Sequence, residues 1–134
     1  MEKNDTYYKK NIDTIISQKI SRYKGRDNQK NREYKEENYI DKDWVKEELI
    51  KNNCRCQRCK KELKTTGYTF RDGQQFSVDR IITELPHIKQ NCQVVCLRCN
   101  MEREQKKLPL NDFETSKVKE MIKKGLYNNR KIKI

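Results

Sequence analysis

The sequence predicts a small α+β protein, a core of short strands held by paired cysteines with α-helices flanking it on both sides. Three observations predict it. Two Cys-x-x-Cys pairs, Cys56–Cys59 and Cys96–Cys99, stand 36 residues apart. Between them, short runs of strand-forming residues alternate with turn residues, while outside them apolar residues recur at helical spacing. Only 33% of the 134 residues are hydrophobic and 39% are charged. A core that thin needs a staple, either a disulfide or a metal.

Tyr8, Ile12, Ile15, Ile16, Ile20 and Tyr23 fall on one helical face, which predicts an amphipathic helix over Asp5–Tyr23, stopped at Gly25. Arg26 to Asn38 has little to bury and reads as a basic connector. Asp41 or Asp43 can cap a short helix through Lys51 that buries Trp44, Val45 and Leu49, with Ile40 placed as a hydrophobic staple. Tyr68–Phe70 and Gln75–Ile82 flank Arg71-Asp72-Gly73-Gln74, the Asp-Gly signal of a β-hairpin. Cys92–Val95 is a further short strand. Asn100 to Lys107 reads as a helix closed by Pro109. Asn111 or Asp112 then caps a last helix, with Phe113, Val118, Met121 and Ile122 inward and Gly125 at its end. The chain thus divides into a helical basic extension (1–50), a cysteine-bearing domain (51–108), and a C-terminal helix with a basic tail (109–134).

Two thiolates three positions apart can take two corners of a metal tetrahedron. A second knuckle completes it, so Cys56, Cys59, Cys96 and Cys99 predict a structural zinc with Zn–S near ~2.3 Å. Four thiolates leave no open position, and this metal is not expected to be catalytic. Cys54 could replace Cys56, at a less regular spacing; Cys92 alternates with Val94 and reads as a buried thiol. No apolar run approaches the ~20 residues of a membrane span. The charged start, Met1 to Lys10, does not read as a secretory signal. We therefore expect an intracellular, non-secreted protein in a reducing compartment, where paired cysteines hold metal.

The net charge of +12 is distributed as +1 over residues 1–50, +7 over 51–108 and +4 over 109–134. Such a field attracts polyanions, which makes nucleic acid the expected partner. Lys19 to Lys35 carries seven basic residues against two acidic ones. There Arg22, Lys24, Arg26, Lys30 and Arg32 interleave with Tyr23 and Tyr34, a pattern able to track phosphates and stack on bases. A solvated charged face is the plainer account of the same stretch.

Phe76-Ser77-Val78-Asp79-Arg80-Ile81-Ile82, then Asn91, then Cys96-Leu97-Arg98-Cys99-Asn100 resembles the HNH (ββα-metal) endonuclease pattern in its cysteine-bearing form. The resemblance spans Cys54 to Lys107 and leaves both flanks outside it. It implies a zinc-stapled ββα-metal core that hydrolyses phosphodiester bonds in nucleic acid, DNA favoured over RNA. Asp79 and Asn100 would hold a catalytic magnesium or manganese ion, hard oxygen ligands for a hard cation. Asn91 would brace the loop between the strands, and Arg80 and Arg98 would join the nucleic-acid contacts. The pattern's catalytic histidine follows the aspartate, where this chain has Arg80, and a guanidinium cannot accept a proton. His87, the one histidine, lies in the same loop and is the candidate replacement base. The alternatives are a catalytically inactive HNH-like zinc module that binds DNA or RNA, and a zinc-stapled scaffold for a protein partner.

Overall fold

The computed structural model describes residues 11–128. In chain order they form α1 (Ile12–Gln29), a 3-10 turn (Glu36–Asn38), α2 (Lys42–Lys51), β1 (Phe76–Arg80), a second 3-10 turn (Lys89–Asn91), β2 (Cys92–Cys96), α3 (Leu97–Lys106) and α4 (Asp112–Lys123). β1 and β2 are antiparallel, with Phe76 opposite Cys96 and Arg80 opposite Cys92. Strand side chains alternate between faces. Phe76, Val78 and Val94 therefore join one core cluster with Ile15, Ile16 and Val45 of α1 and α2. Ser77 and Asp79 lie on the other face, where Asn100 and Arg103 of α3 bond to them. Val118 and Met121 of α4 pack with Ile81 and Ile82 in a second cluster. Each fully buried side chain of this size contributes about 1.5–3 kcal/mol.

α1 differs from expectation at both ends. Asn11 caps it, its Oδ1 accepting the Thr14 N–H at 2.9 Å; residues 5–10 of the expected helix lie outside the described residues. At the other end it runs through Gly25 to Gln29. A mid-helix glycine costs about 1 kcal/mol relative to alanine. That cost is overcome because Asp27, two residues further on, is fully buried among tertiary partners. The expected connector from Arg26 is therefore helical in its first turn and irregular only afterwards.

α2 is capped by Asp41, whose Oδ1 accepts the Trp44 N–H at 2.8 Å. Ile40, Val45 and Leu49 are buried, and Trp44 is half-buried. α4 begins with a capping box between Asn111 and Glu114 and ends before Gly125, whose φ of 75° suits glycine. Phe113 points outward at 39% exposure, correcting its inward assignment.

The expected hairpin across Asp72-Gly73 does not form. Tyr68–Phe70 is not a strand, and the partner of β1 is β2. A two-residue hairpin needs a left-handed glycine, and Gly73 does not have that conformation. Asp72 instead makes a side-chain turn, Oδ1 accepting the Gln74 N–H at 2.9 Å. The Gly73 and Gln75 carbonyls then accept N–H groups from Arg98 (3.0 Å) and Leu97 (2.9 Å). The turn thus docks on the start of α3, which begins at Leu97, three residues earlier than expected.

Candidate functional site

The four predicted cysteines converge. The Sγ atoms of Cys56, Cys59, Cys96 and Cys99 all lie within 4.8 Å of one another, with Cys59 and Cys96 at 3.9 Å. A zinc tetrahedron with Zn–S of ~2.3 Å has edges of ~3.8 Å, so the cluster has the size and donor chemistry to hold a metal such as zinc. The backbone is arranged for thiolate charge. The Arg58 and Cys59 N–H groups each donate to Cys56 Sγ at 3.4 Å, and Cys99 N–H donates to Cys96 Sγ at 3.4 Å. Cys96 is also the N-cap of α3, so the positive end of that helix faces the cluster. The first knuckle is tied to β2 by Gln57 N–H donating to the Val94 carbonyl at 3.1 Å. Cys54 lies outside, its thiol directed at the Leu63 carbonyl (3.7 Å). Cys92 is fully buried, and burial pushes its thiol well up.

A second feature is a cavity of about 430 Å³ between α1, β1 and α3. Lys19, Arg22, Arg26, Arg32 and Arg80 line it. Four of these five were predicted nucleic-acid contacts. Lys19 was missed. It sits on the buried face of α1, 8% exposed, donating to Gln75 Oε1 at 3.0 Å with its ammonium 4.8 Å from the Phe76 ring centre. Burial brings its pKa down to about 8. The other predicted cations stand elsewhere. Lys24 pairs with Glu36, Lys30 is exposed, and Arg98 lies against Gly73.

His87 is in the wall of this cavity, 5% exposed and stacked on Tyr23 with ring centres 4.4 Å apart. Its Nδ1 lies 2.9 Å from Asp27 Oδ2, which also accepts the His87 backbone N–H (3.0 Å) and the Tyr39 hydroxyl (2.6 Å). Arg32 Nε donates to Asp27 Oδ1 at 2.8 Å. Against the pull of its burial, these donors hold the Asp27 carboxyl well below the usual carboxylate range. An ionised carboxylate only accepts, so Nδ1 carries the proton and Nε2 keeps the lone pair. Burial, reinforced by the Arg80 and Arg32 cations, lowers the His87 pKa and outweighs the opposing effect of Asp27. The imidazole is neutral at neutral pH.

Both shifts carry the same sign for stability. Asp27 and His87 bind protons more tightly in the unfolded chain, near ~3.9 and ~6.5 respectively. Their contribution is complete above those values and is lost as pH falls toward the lower folded values. We expect the urea midpoint of the metal-loaded chain to fall from pH 7 to 5.5, and His87→Gln to flatten that fall. A wild-type midpoint constant over this range would contradict the assignment.

Asp79 and Asn100, the residues expected to hold a divalent metal, are each engaged by protein side chains. Asp79 is 1% exposed. Its Oδ2 accepts from Arg103 Nε (2.7 Å) and Gln93 Nε2 (3.0 Å), and its Oδ1 accepts from Arg103 Nη2 (2.9 Å). The charge is matched by the Arg103 guanidinium. Asn100 donates to Ser77 Oγ at 2.8 Å and borders the cavity. Gln93 Nε2 also donates to the buried Glu114 (2.6 Å), which takes Arg58 Nη1 on both oxygens. The network runs from the first cysteine knuckle to α3. Asn91, fully buried, ties the loop between the strands. Its Oδ1 accepts Ile82 N–H (2.8 Å) and its Nδ2 donates to the Ile82 (3.0 Å) and Pro86 (3.1 Å) carbonyls. Arg80 donates to the Thr83 carbonyl in the same loop and to Leu85 O at 3.3 Å.

Asp27 was the other residue missed. Lys19, Tyr23 and Asp27 follow at four-residue steps on α1, a charged and aromatic continuation of the isoleucine face, and that interruption of the apolar stripe was the available signal. No described helix is long and apolar enough to cross a membrane. No family model matches the chain, and no curated protein or solved structure matches it.

Proposed function

We propose that this chain is a zinc-stapled HNH-like module that binds nucleic acid, DNA in preference to RNA, and hydrolyses a phosphodiester with His87 as general base. One observation carries the reading. A neutral, oriented imidazole stands in the wall of a cavity that also presents five cationic side chains. Cations gather a phosphate, and a nearby unprotonated nitrogen can take a proton from water as the water oxygen bonds to phosphorus. The P–O bond to the leaving strand then breaks, and that oxygen takes its proton from solvent. Zinc in the four-cysteine cluster holds α3 against the knuckle and takes no part in the chemistry. No step is assigned to magnesium or manganese, because Asp79 is committed to Arg103.

That same ion pair favours a second reading, binding without cleavage. Plasmid nicking, run beside a salt titration of DNA binding, separates the two. We expect wild type to nick and His87→Ala to lose nicking by at least ~100-fold while still binding, the scale of a lost general base. Binding that weakens steeply with salt, with no nicking by any form, would leave the binding module.

A further inference from the structure

The cavity is not uniformly cationic. Its lining also includes Tyr68, Phe70, Leu97 and Met101, and one carboxylate, Glu104, 4.0 Å from the Arg80 guanidinium. Phe70 is 65% exposed and Met101 48%, two of the four large hydrophobic side chains left in water among the described residues. Single exposed apolar side chains are ordinary, and Phe70 and Met101 stand out because both line the same cavity. Phe70 is also held in place. The buried Gln75 side chain donates to the Phe70 carbonyl at 2.8 Å and accepts from Lys19 at 3.0 Å, which ties this loop to α1. Arg71 lies 5.7 Å from the Phe70 ring centre.

A cavity lined by both aromatic and guanidinium side chains has the composition of its complement, a flat apolar ring joined to an anion. Within a polyanion, that is a nucleotide. Its volume of about 430 Å³ falls in the range of small-molecule sites. A base paired in a duplex has both faces covered and cannot lie on such side chains; an unstacked base can.

Resting on the nucleic-acid reading above, we infer that the cavity takes an unpaired nucleotide of a single strand, its base on Phe70 and Met101 and its phosphate toward Arg22, Arg26, Arg32 and Arg80. The ring supplies affinity by stacking and the arginines supply the salt-dependent part. Asn100 and Ser77, hydrogen-bonded to each other, also line the cavity.

The test is fluorescence anisotropy of the zinc-loaded full chain. The probes are labelled 12-nucleotide oligo-dT, oligo-rU and a hairpin duplex, each across a salt series. We expect the single strands to bind at least tenfold more tightly than the duplex. Phe70→Ala should weaken single-strand binding ~10- to 100-fold, without changing the salt slope or the melting temperature, and Phe70→Trp should restore it. Arg26→Ala should instead lower the salt slope on single strands by ~0.7. Preference between dT and rU identifies the sugar, and tight binding of either supports the inference. Duplex binding equal to or tighter than single-strand binding, or a neutral Phe70→Ala, would overturn it while leaving nucleic-acid binding intact. Absence of binding to all three probes at low salt would remove the nucleic-acid reading itself.

Discussion

Removing metal from the four-cysteine cluster is expected to unfold the chain, not merely loosen one end of it. The cluster joins the knuckle after α2 to the junction of β2 and α3. Cys56 and Cys59 belong to a knuckle after α2, Cys96 closes β2, and Cys99 lies in the first turn of α3. Without metal, four sulfurs crowded within 4.8 Å either repel as thiolates or, once protonated, leave N–H donors facing neutral thiols. A structural zinc contributes on the order of 10 kcal/mol, comparable with the whole stability of a domain this size. Far-UV circular dichroism and a zinc-release dye during chelation should report unfolding and metal loss together. Cys96→Ala should be worse than Cys59→Ala, because Cys96 is also the helix cap, a role alanine cannot fill, and a strand residue opposite Phe76. A native spectrum that persists after stoichiometric zinc release would refute the staple.

Asp79→Ala is expected to cost about 3–5 kcal/mol, the penalty for leaving a buried partner charge unmatched. Arg103 is 6% exposed and would lose a bidentate ion pair. A free metal-binding aspartate would behave oppositely. Its removal would leave stability unchanged or raised and would alter the response to magnesium. The two accounts separate in one urea titration with and without magnesium. Replacing both partners with apolar residues of similar size, Asp79→Leu with Arg103→Met, should recover most of the loss, since a buried pair returns little net stability. An unchanged midpoint for Asp79→Ala, with an altered magnesium effect, would restore the metal-ligand role.

These two expectations mark what could be read from sequence. The cysteine cluster was legible because its geometry is local. Two knuckles each fix a pair of sulfurs, and the fold needs only to bring the pairs together. The caps at Asp41 and Asn111 were legible for the same reason, since a capping side chain bonds an N–H three residues on. Asp79 was not. Its position on a strand sets a face, but its partner, Arg103, comes from a helix 24 residues later. Asp27 was further out of reach, 60 residues from His87. The Asp72-Gly73 turn misled because one dipeptide serves two geometries, and docking on α3 decided between them. Gly25 misled as a helix stop because burial of Asp27 outweighed a local preference worth about 1 kcal/mol.

The distance between Asp27 and His87 has a consequence in time. A ribosome adds about 5–20 residues per second, so Asp27 is made roughly 3–12 s before the imidazole it orients. Lys19 precedes Gln75 by 56 residues, a similar wait. At the start of that interval none of the elements that cover the α1 isoleucines has been made; α2 and then β1 follow within it. β2 and α3 are synthesised afterwards as one contiguous stretch. The cavity is therefore completed only once α3, which supplies Leu97, Asn100, Met101 and Glu104, has been made.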